Sequence, residues 1–351
     1  MRWSSRVRGG PPQRPDLTAP LLSPDLSLDQ APVFRKHFAM GTVFEIVTYG
    51  TNPAQASQAM DQAFQEMDRL EQVMSIYKPA SELSQLNRTA HLQAQTVTPD
   101  LYRVIQESLH YSELSEGAFD VTAGLLVERW KAAGRGEQVP SPDEEERLRC
   151  GVDYRQVELI PPSRIRFHSS RLAIDLGAIG KGYAVDRAAA VLRSCGIECA
   201  LINSGGSTFY SMGCPPGRSG WLVHLCDPSA QVDPHVLLHE NSVSTSQQTP
   251  PSLLGMPSFG HIIDPLLGAP SKSATAASVV AESATASDAL STALLLMGPA
   301  KGLDLVKRLP NVAAIWISPE GLTQTASSGP EIMTTNLARM SPRKAGTRNF
   351  G

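Results

Sequence analysis

Between Ile174 and Asp186 the chain reads Ile-Asp-Leu-Gly-Ala-Ile-Gly-Lys-Gly-Tyr-Ala-Val-Asp. An apolar strand is predicted to run into Gly177, Gly180 and Gly182 and to open an Ala-rich amphipathic helix, with Lys181 the lone cation among the glycines. Glycine lets a backbone approach an anion, the first amides of a helix point at it, and the lysine adds a mobile positive charge. The segment thus suits phosphate or a nucleotide. It is not a Walker loop, which needs four residues between its glycines and Ser or Thr after the lysine. Gly182 follows Lys181 here. An ordinary strand-to-helix turn would use the same glycines for its dihedral angles alone, and this segment by itself does not decide between the two.

Three further segments bear on the choice. Asp288 and Thr292 stand four apart near the start of a helix expected to end near Gly298, and so share one face. A carboxylate and a hydroxyl on one face suit a hard cation such as magnesium, although an acid at a helix start is also favoured by the macrodipole. His261-Ile262-Ile263-Asp264-Pro265, followed by Gly268, sets an imidazole and a carboxylate around two apolar residues. This reads either as an acid/base pair or as a short strand ending at a Pro turn. In Phe38-Ala39-Met40-Gly41-Thr42 a glycine interrupts an apolar strand, a pattern that often marks close approach of a backbone or ligand.

Together these segments resemble the FAD:protein FMN transferase family, also called the ApbE family. The resemblance extends from about Phe34 to about Pro330 and includes Met40-Gly41-Thr42, Ser75-Ile76-Tyr77, Gly117-Ala118-Phe119-Asp120, Asp175 to Asp186, Asn203-Ser204-Gly205-Gly206, His261 to Gly268, and Asp288 to Thr292. It implies magnesium-dependent transfer of the FMN half of FAD, the substrate, to a Thr or Ser hydroxyl of an acceptor protein, with release of AMP. It implies that Met40, Tyr77, Ala118, Phe119, Asp120, Asp175, Lys181 and Ile263 line the flavin nucleotide. Asp288, Thr292 and the carbonyl of Ala178 fall on its metal-binding positions. Lys181 would neutralise pyrophosphate. His261 is the expected base, with Asp264 as its orienter or as the base itself. The implied fold is α+β: mainly antiparallel sheets with packed helices in a two-lobed, T-fold-related architecture. Strand and helix patterning alone gives only a mixed class.

One segment departs from the family pattern. Relatives usually carry Thr-Ser-Gly and an aromatic shortly before the His-Ile-Ile-Asp-Pro strand, where this chain has Thr245-Ser246-Gln247-Gln248. The expected consequence is an altered acceptor or adenine region, with the residues at the metal-binding positions retained. Two other activities use the same residues: an FAD pyrophosphatase giving FMN and AMP, and a non-catalytic FAD-binding protein. A mere carrier would have no need of Asp288, Thr292 and His261. The chain lacks the Asp-x-x-Ser/Thr-Gly-Ala-Ser/Thr sequence that the family modifies, so it is not expected to flavinylate itself.

Composition sets the remaining limits. With 351 residues and 41% hydrophobic content, the chain is long enough to bury a sizeable core. Residues 1–15 and 336–351 hold eight basic residues and no acid, which leaves 23 basic against 34 acidic residues in the body. A body this acidic is a poor nucleic-acid surface. Five cysteines without metal spacing suit reduced thiols, and neither a membrane span nor a secretory signal is apparent, so a cytoplasmic location is expected. Residues 1–32 read as a disordered Pro-rich lead, 33–335 as the catalytic domain and 336–351 as a disordered basic tail. Within the domain, 33–49 reads as one strand, Asn52 to about Ile76 as a helix with a buried stripe, and Thr98-Pro99 as a helix start. Residues 132–146 read as an exposed loop, and 198–203, 221–226, 236–244 and 312–317 as strands.

Overall fold

The computed structural model describes residues 31–248, 260–271, 273 and 275–336. The Pro-rich lead up to residue 30 and the basic tail from residue 337 lie outside the described residues. In chain order, β1 (Val33–Ala39) and β2 (Thr42–Thr48) are followed by α1 (Pro53–Met74), α2 (Glu82–Thr89), β3 (Gln95–Thr96), α3 (Pro99–Leu114), α4 (Gly124–Gly134) and α5 (Pro142–Arg149). Next come β4 (Val157–Ile160), β5 (Arg164–Phe167), α6 (Gly180–Ser194), β6 (Ala200–Ser204), β7 (Thr208–Met212), β8 (Trp221–His224), β9 (Val232–Leu238) and β10 (Ser242–Gln247). A short pair, β11 (Ile263–Asp264) and β12 (Ala269–Pro270), precedes β13 (Ala276–Ala281), α7 (Ala284–Arg308), β14 (Ala313–Ile317), β15 (Thr323–Ser327) and β16 (Met333–Asn336).

Eight strands form one sheet in the order β1-β2-β6-β7-β10-β13-β14-β15, and every neighbouring pair is antiparallel. Side chains alternate between its faces. Ile46, Ile202, Tyr210, Val279 and Trp316 join the main core with α1, α6 and α7. Their chain neighbours Val47, Leu201, Phe209 and Val280 pack on Trp221, Val223, Val236 and Leu238 of the small sheet β16-β9-β8. Both faces are therefore covered, which is why these strands read as apolar runs rather than as polar/apolar alternation. A third cluster, Leu126, Trp130, Ala133 and Ile263, lies under α4 and the β11–β12 pair. The mixed, mainly antiparallel class expected from the resemblance is the class observed.

Helix signals read well. On α1, Ala56, Met60, Ala63, Met67, Leu70 and Met74 are all buried, and Asn52 caps the helix through Ala54 N–H at 2.9 Å. Thr98 caps α3, with Pro99 in the first turn. Other expectations are corrected. The single strand over 33–49 is a hairpin, because Met40 and Gly41 adopt φ 50° and 74°, the left-handed pair of a tight two-residue turn. A Cβ on Gly41 would meet nothing within 4 Å, so this glycine serves the turn and not a close approach. The loop over 132–146 contains the start of α5, where Ser141 caps Glu144 N–H, Pro142 opens the helix and three acids fill the first turn. Capping chemistry overrides the polarity that reads as loop. Residues 236–244 belong to two strands in different sheets, separated at Glu240 by a φ of 52°.

One correction touches the site. No strand ladder precedes Gly177: the approach makes an isolated parallel bridge, Ala123 to Ala173, and Asp175 N–H donates to the Val121 carbonyl at 2.9 Å. The helix expected to end near Gly298 does break there (φ 68°, ψ 171°), and after Pro299 a second helical stretch runs on to Arg308. Contrary to expectation, α7 is long and apolar enough by composition to cross a membrane, the one such helix among the described residues. It is a core helix here, packed on α6, β10 and β13, with buried Ser287, Asp288 and Ser291.

Candidate functional site

The site rests on the crossing of α6 and α7. A Cβ on Gly182 would lie 2.2 Å from the carbonyl oxygen of Ala284 and 2.8 Å from Cβ of Asp288, so no larger residue allows the helices this close. The contact turns Gly182 N–H onto Asp288 Oδ2 at 3.0 Å. One turn further along α6, the half-buried Asp186 carboxylate accepts from Ala284 N–H, Thr285 N–H and Thr285 Oγ1 at 2.8, 2.8 and 2.5 Å, tying α6 to the amide end of α7. Burial is the dominant influence on Asp186 and raises its carboxyl pKa, against the lowering effect of those hydrogen bonds. The third glycine of the sequence motif is thus explained by helix packing, and that packing is what sets Asp288 in place.

A cavity of about 600 Å³ opens between this crossing and the small cluster under α4. Of the residues anticipated from the sequence, Ala118, Phe119, Asp120, Asp175, Ala178, Lys181, His261, Ile263, Asp288 and Thr292 all line it. Met40, Tyr77 and Asp264 are not in that lining. Met40 sits in the hairpin turn, with its N–H on Glu71 Oε1 at 2.8 Å. Tyr77 is exposed and accepts a hydrogen bond from Lys131 Nζ at 3.0 Å, so it reaches the cavity through that lysine. The Asp264 carboxylate accepts from Leu266 and Leu267 N–H at 2.9 and 3.2 Å, which makes it the cap of its own turn.

The remaining side chains have distinct tasks. Asp175 accepts from Gly177 N–H at 2.7 Å and so fixes the turn that carries Ala178, while Lys181 Nζ donates to the Gly177 carbonyl at 3.0 Å and lies 3.9 Å from Asp288 Oδ2. Asp120 bonds Thr122 and Tyr154 N–H, and burial raises its pKa despite those bonds. His261 is an exposed rim residue. Partial desolvation of its ring, then the charges of Lys131 and Lys181, push its pKa below the ordinary histidine value, which favours the neutral imidazole. The buried Asp288 carboxylate, Thr292 one turn on and Ala178 all line one cavity; with the Ala178 peptide oxygen, the expected third donor, they would make an all-oxygen set of the kind that fits a hard divalent cation.

Sequence reasoning missed several participants. Lys131 lines the cavity 3.7 Å from Asp175 Oδ2; burial works against its charge, but Asp175 and the Tyr77 hydroxyl outweigh that and raise its pKa. No spacing signal marks it. Thr245, Ser246 and Gln247 continue β10 in register with Ser278, Ala277 and Ala276, so the backbone runs straight where relatives place a glycine. Ser246 Oγ bonds Thr292 Oγ1 at 3.0 Å and Ser291 Oγ at 2.8 Å, which puts this segment in direct contact with the Thr292 hydroxyl. Gln248 is buried, and its amide acts as a peptide group would: Nε2 donates to the Ile262 and Ser271 carbonyls at 3.0 and 2.9 Å, and Oε1 accepts from Ile262 N–H at 2.9 Å. A Cβ on Gly260 would fall 1.9 Å from the Gln248 amide, so glycine is required there for this bracket to close. The departure from the family pattern thus fastens the strand that carries His261 and Ile263.

Fold and cavity together define an α+β protein in which the Gly-rich start of α6 and a set of oxygen-bearing side chains share one pocket. Residues 40–316 match the ApbE family, and the chain belongs to that family. It is 29% identical over 307 residues to the FAD:protein FMN transferase of Treponema pallidum (82% of this chain, 84% of that protein). It is 26% identical over 293 residues to the enzyme of the same name from Escherichia coli K12 (80% and 83%). Among solved structures it superposes on the flavin transferase ApbE from Vibrio cholerae with a TM-score of 0.75 at 26% identity, covering 85% of this chain and 98% of that one. The apo flavinyl transferase ApbE of Pseudomonas stutzeri gives 0.75 at 25% identity, covering 86% and 97%.

Proposed function

We propose that the chain is an FAD:protein FMN transferase, moving FMN from FAD to a Thr or Ser hydroxyl of an acceptor protein and releasing AMP. The observation that carries this reading is the meeting, in one cavity, of Lys181, Asp288, Thr292, Ala178 and His261. Lys181 and the amide start of α6 receive the pyrophosphate. Asp288, Thr292 and the Ala178 carbonyl would hold a magnesium ion, which when bound would neutralise charge on the phosphate oxygens. His261 takes the proton from the acceptor hydroxyl as its oxygen forms the new bond to the FMN phosphorus. The bond from that phosphorus to the bridging oxygen breaks, and AMP leaves with the electron pair. Lys131 and Tyr77 extend the positive, partly aromatic wall beyond the phosphates.

Incubation with FAD and magnesium, with and without an acceptor peptide containing the family's Thr/Ser sequence, tests the function. Transfer predicts AMP release that depends on the acceptor. Equimolar FMN and AMP without an acceptor would instead identify an FAD pyrophosphatase, and binding without any AMP a carrier.

A further inference from the structure

On the small sheet, far along the chain from the motifs above, His224 of β8 and His235 of β9 are direct cross-strand partners with ring centroids 5.7 Å apart. Asp233 stands two residues before His235, on the same face of its strand. His224 Nδ1 lies 2.7 Å from Asp233 Oδ1, and His235 Nδ1 lies 3.0 Å from the Asp233 carbonyl oxygen and 3.9 Å from its Oδ2. Both Nδ1 atoms face Asp233 oxygens, which only accept hydrogen bonds, so each Nδ1 carries a proton in the metal-free site; an ion bound between the rings and the carboxylate would displace those protons to solvent.

We propose that His224, Asp233 and His235 form a binding site for a borderline divalent transition ion, with zinc as its representative, separate from the flavin cavity. One donor atom from each residue lies within 4.8 Å of the other two, so small side-chain rotations gather them at zinc's bond lengths of about 2.0–2.2 Å. Two imidazoles and a carboxylate suit zinc, whereas magnesium prefers an all-oxygen set like that of Asp288 and Thr292. The three side chains are part-exposed, which gives an ion access, and water completes a four-coordinate shell. The site stands on paired strands rather than on a loop. Bound zinc would clip β8 to β9 just before Cys226, which lines the flavin cavity.

The test is zinc titration by calorimetry on the untagged full chain at pH 7.5, with magnesium saturating. One equivalent should bind, and His235→Gln or Asp233→Asn should weaken it by at least about 10–100-fold. Asp288→Asn should leave zinc binding as in the parent. Metal-free melting of each variant, compared with the parent, establishes that the fold is kept; His224→Gln, on the more exposed ring, serves if either of the others is not folded. Cobalt substitution should give a spectrum without a thiolate charge-transfer band. Unchanged zinc affinity in the folded variants, loss in Asp288→Asn, or a thiolate band that assigns the ion to cysteine would each overturn the proposal.

Discussion

Removing the Gln248 bracket should uncouple the geometry of His261 from the rest of the enzyme. In Gln248→Ala three hydrogen bonds disappear, two to the Ile262 peptide and one to the Ser271 carbonyl. At about 0.5–1.5 kcal/mol each, the loss is about 1.5–4.5 kcal/mol. It falls on a segment closed on itself by Ser271 N–H to the Ile262 carbonyl and tied to α4 by Trp130 Nε1 donating to the Gly268 carbonyl. Local opening should therefore become about 10–10³-fold more frequent, visible as faster hydrogen exchange at residues 261–271 with the main sheet unchanged. Misplacing a reacting group by about 1 Å costs about 10²-fold in rate, so kcat should drop by that order while the KM for FAD moves little. Gln248→Glu keeps the acceptor for Ile262 N–H but loses both donors, and should fall between parent and alanine variant. Parent-like exchange across 261–271 together with parent-like turnover in Gln248→Ala would refute the reasoning.

Other perturbations probe separate contacts. Lys181→Ala should weaken FAD binding by about 1.5–3 kcal/mol, or one to two decades, and leave riboflavin binding nearly unchanged; equal losses measured by fluorescence titration would mark a structural lysine. The rate of the parent enzyme should fall as pH drops through an apparent pKa below about 6.5, because a depressed histidine pKa preserves the neutral base to lower pH and protonation removes it. In His261→Ala that limb should vanish, with transfer reduced about 10²–10⁴-fold. Gly182→Ala forces a methyl against the Ala284 carbonyl and should lower Tm and magnesium affinity together, since the same contact positions Asp288; a change in neither would show that the crossing tolerates the methyl.

Much of the site was legible because its chemistry sits on local motifs. Asp288 and Thr292 are linked by helical spacing, and the glycines around Lys181 mark a helix start whatever precedes it. The role of Gly182 was not legible, since its reason is a second helix more than 100 positions away. Lys131 was likewise invisible, and Gln248 stood out only as part of a departure from the family pattern, its bracketing role unread: each acts through partners distant in sequence, and neither amide nor ammonium leaves a periodic trace. Among the elements, failures came where local chemistry beat composition. Ser141-Pro142 starts α5 in a stretch polar enough to read as loop, and a left-handed Glu240 divides what reads as one strand. At Asp264 the expectation of an acid/base partner meets a carboxylate whose Oδ1 already holds two turn amides.

The most direct measurement of the central claim is intact-mass analysis of an acceptor peptide after incubation with the chain, FAD and magnesium, run beside AMP quantification. The account predicts that the peptide gains the mass of FMN less water, in a one-to-one ratio with AMP, and that Asp288→Asn abolishes both signals while remaining folded. An unmodified peptide alongside AMP release, or full modification by folded Asp288→Asn, would contradict it.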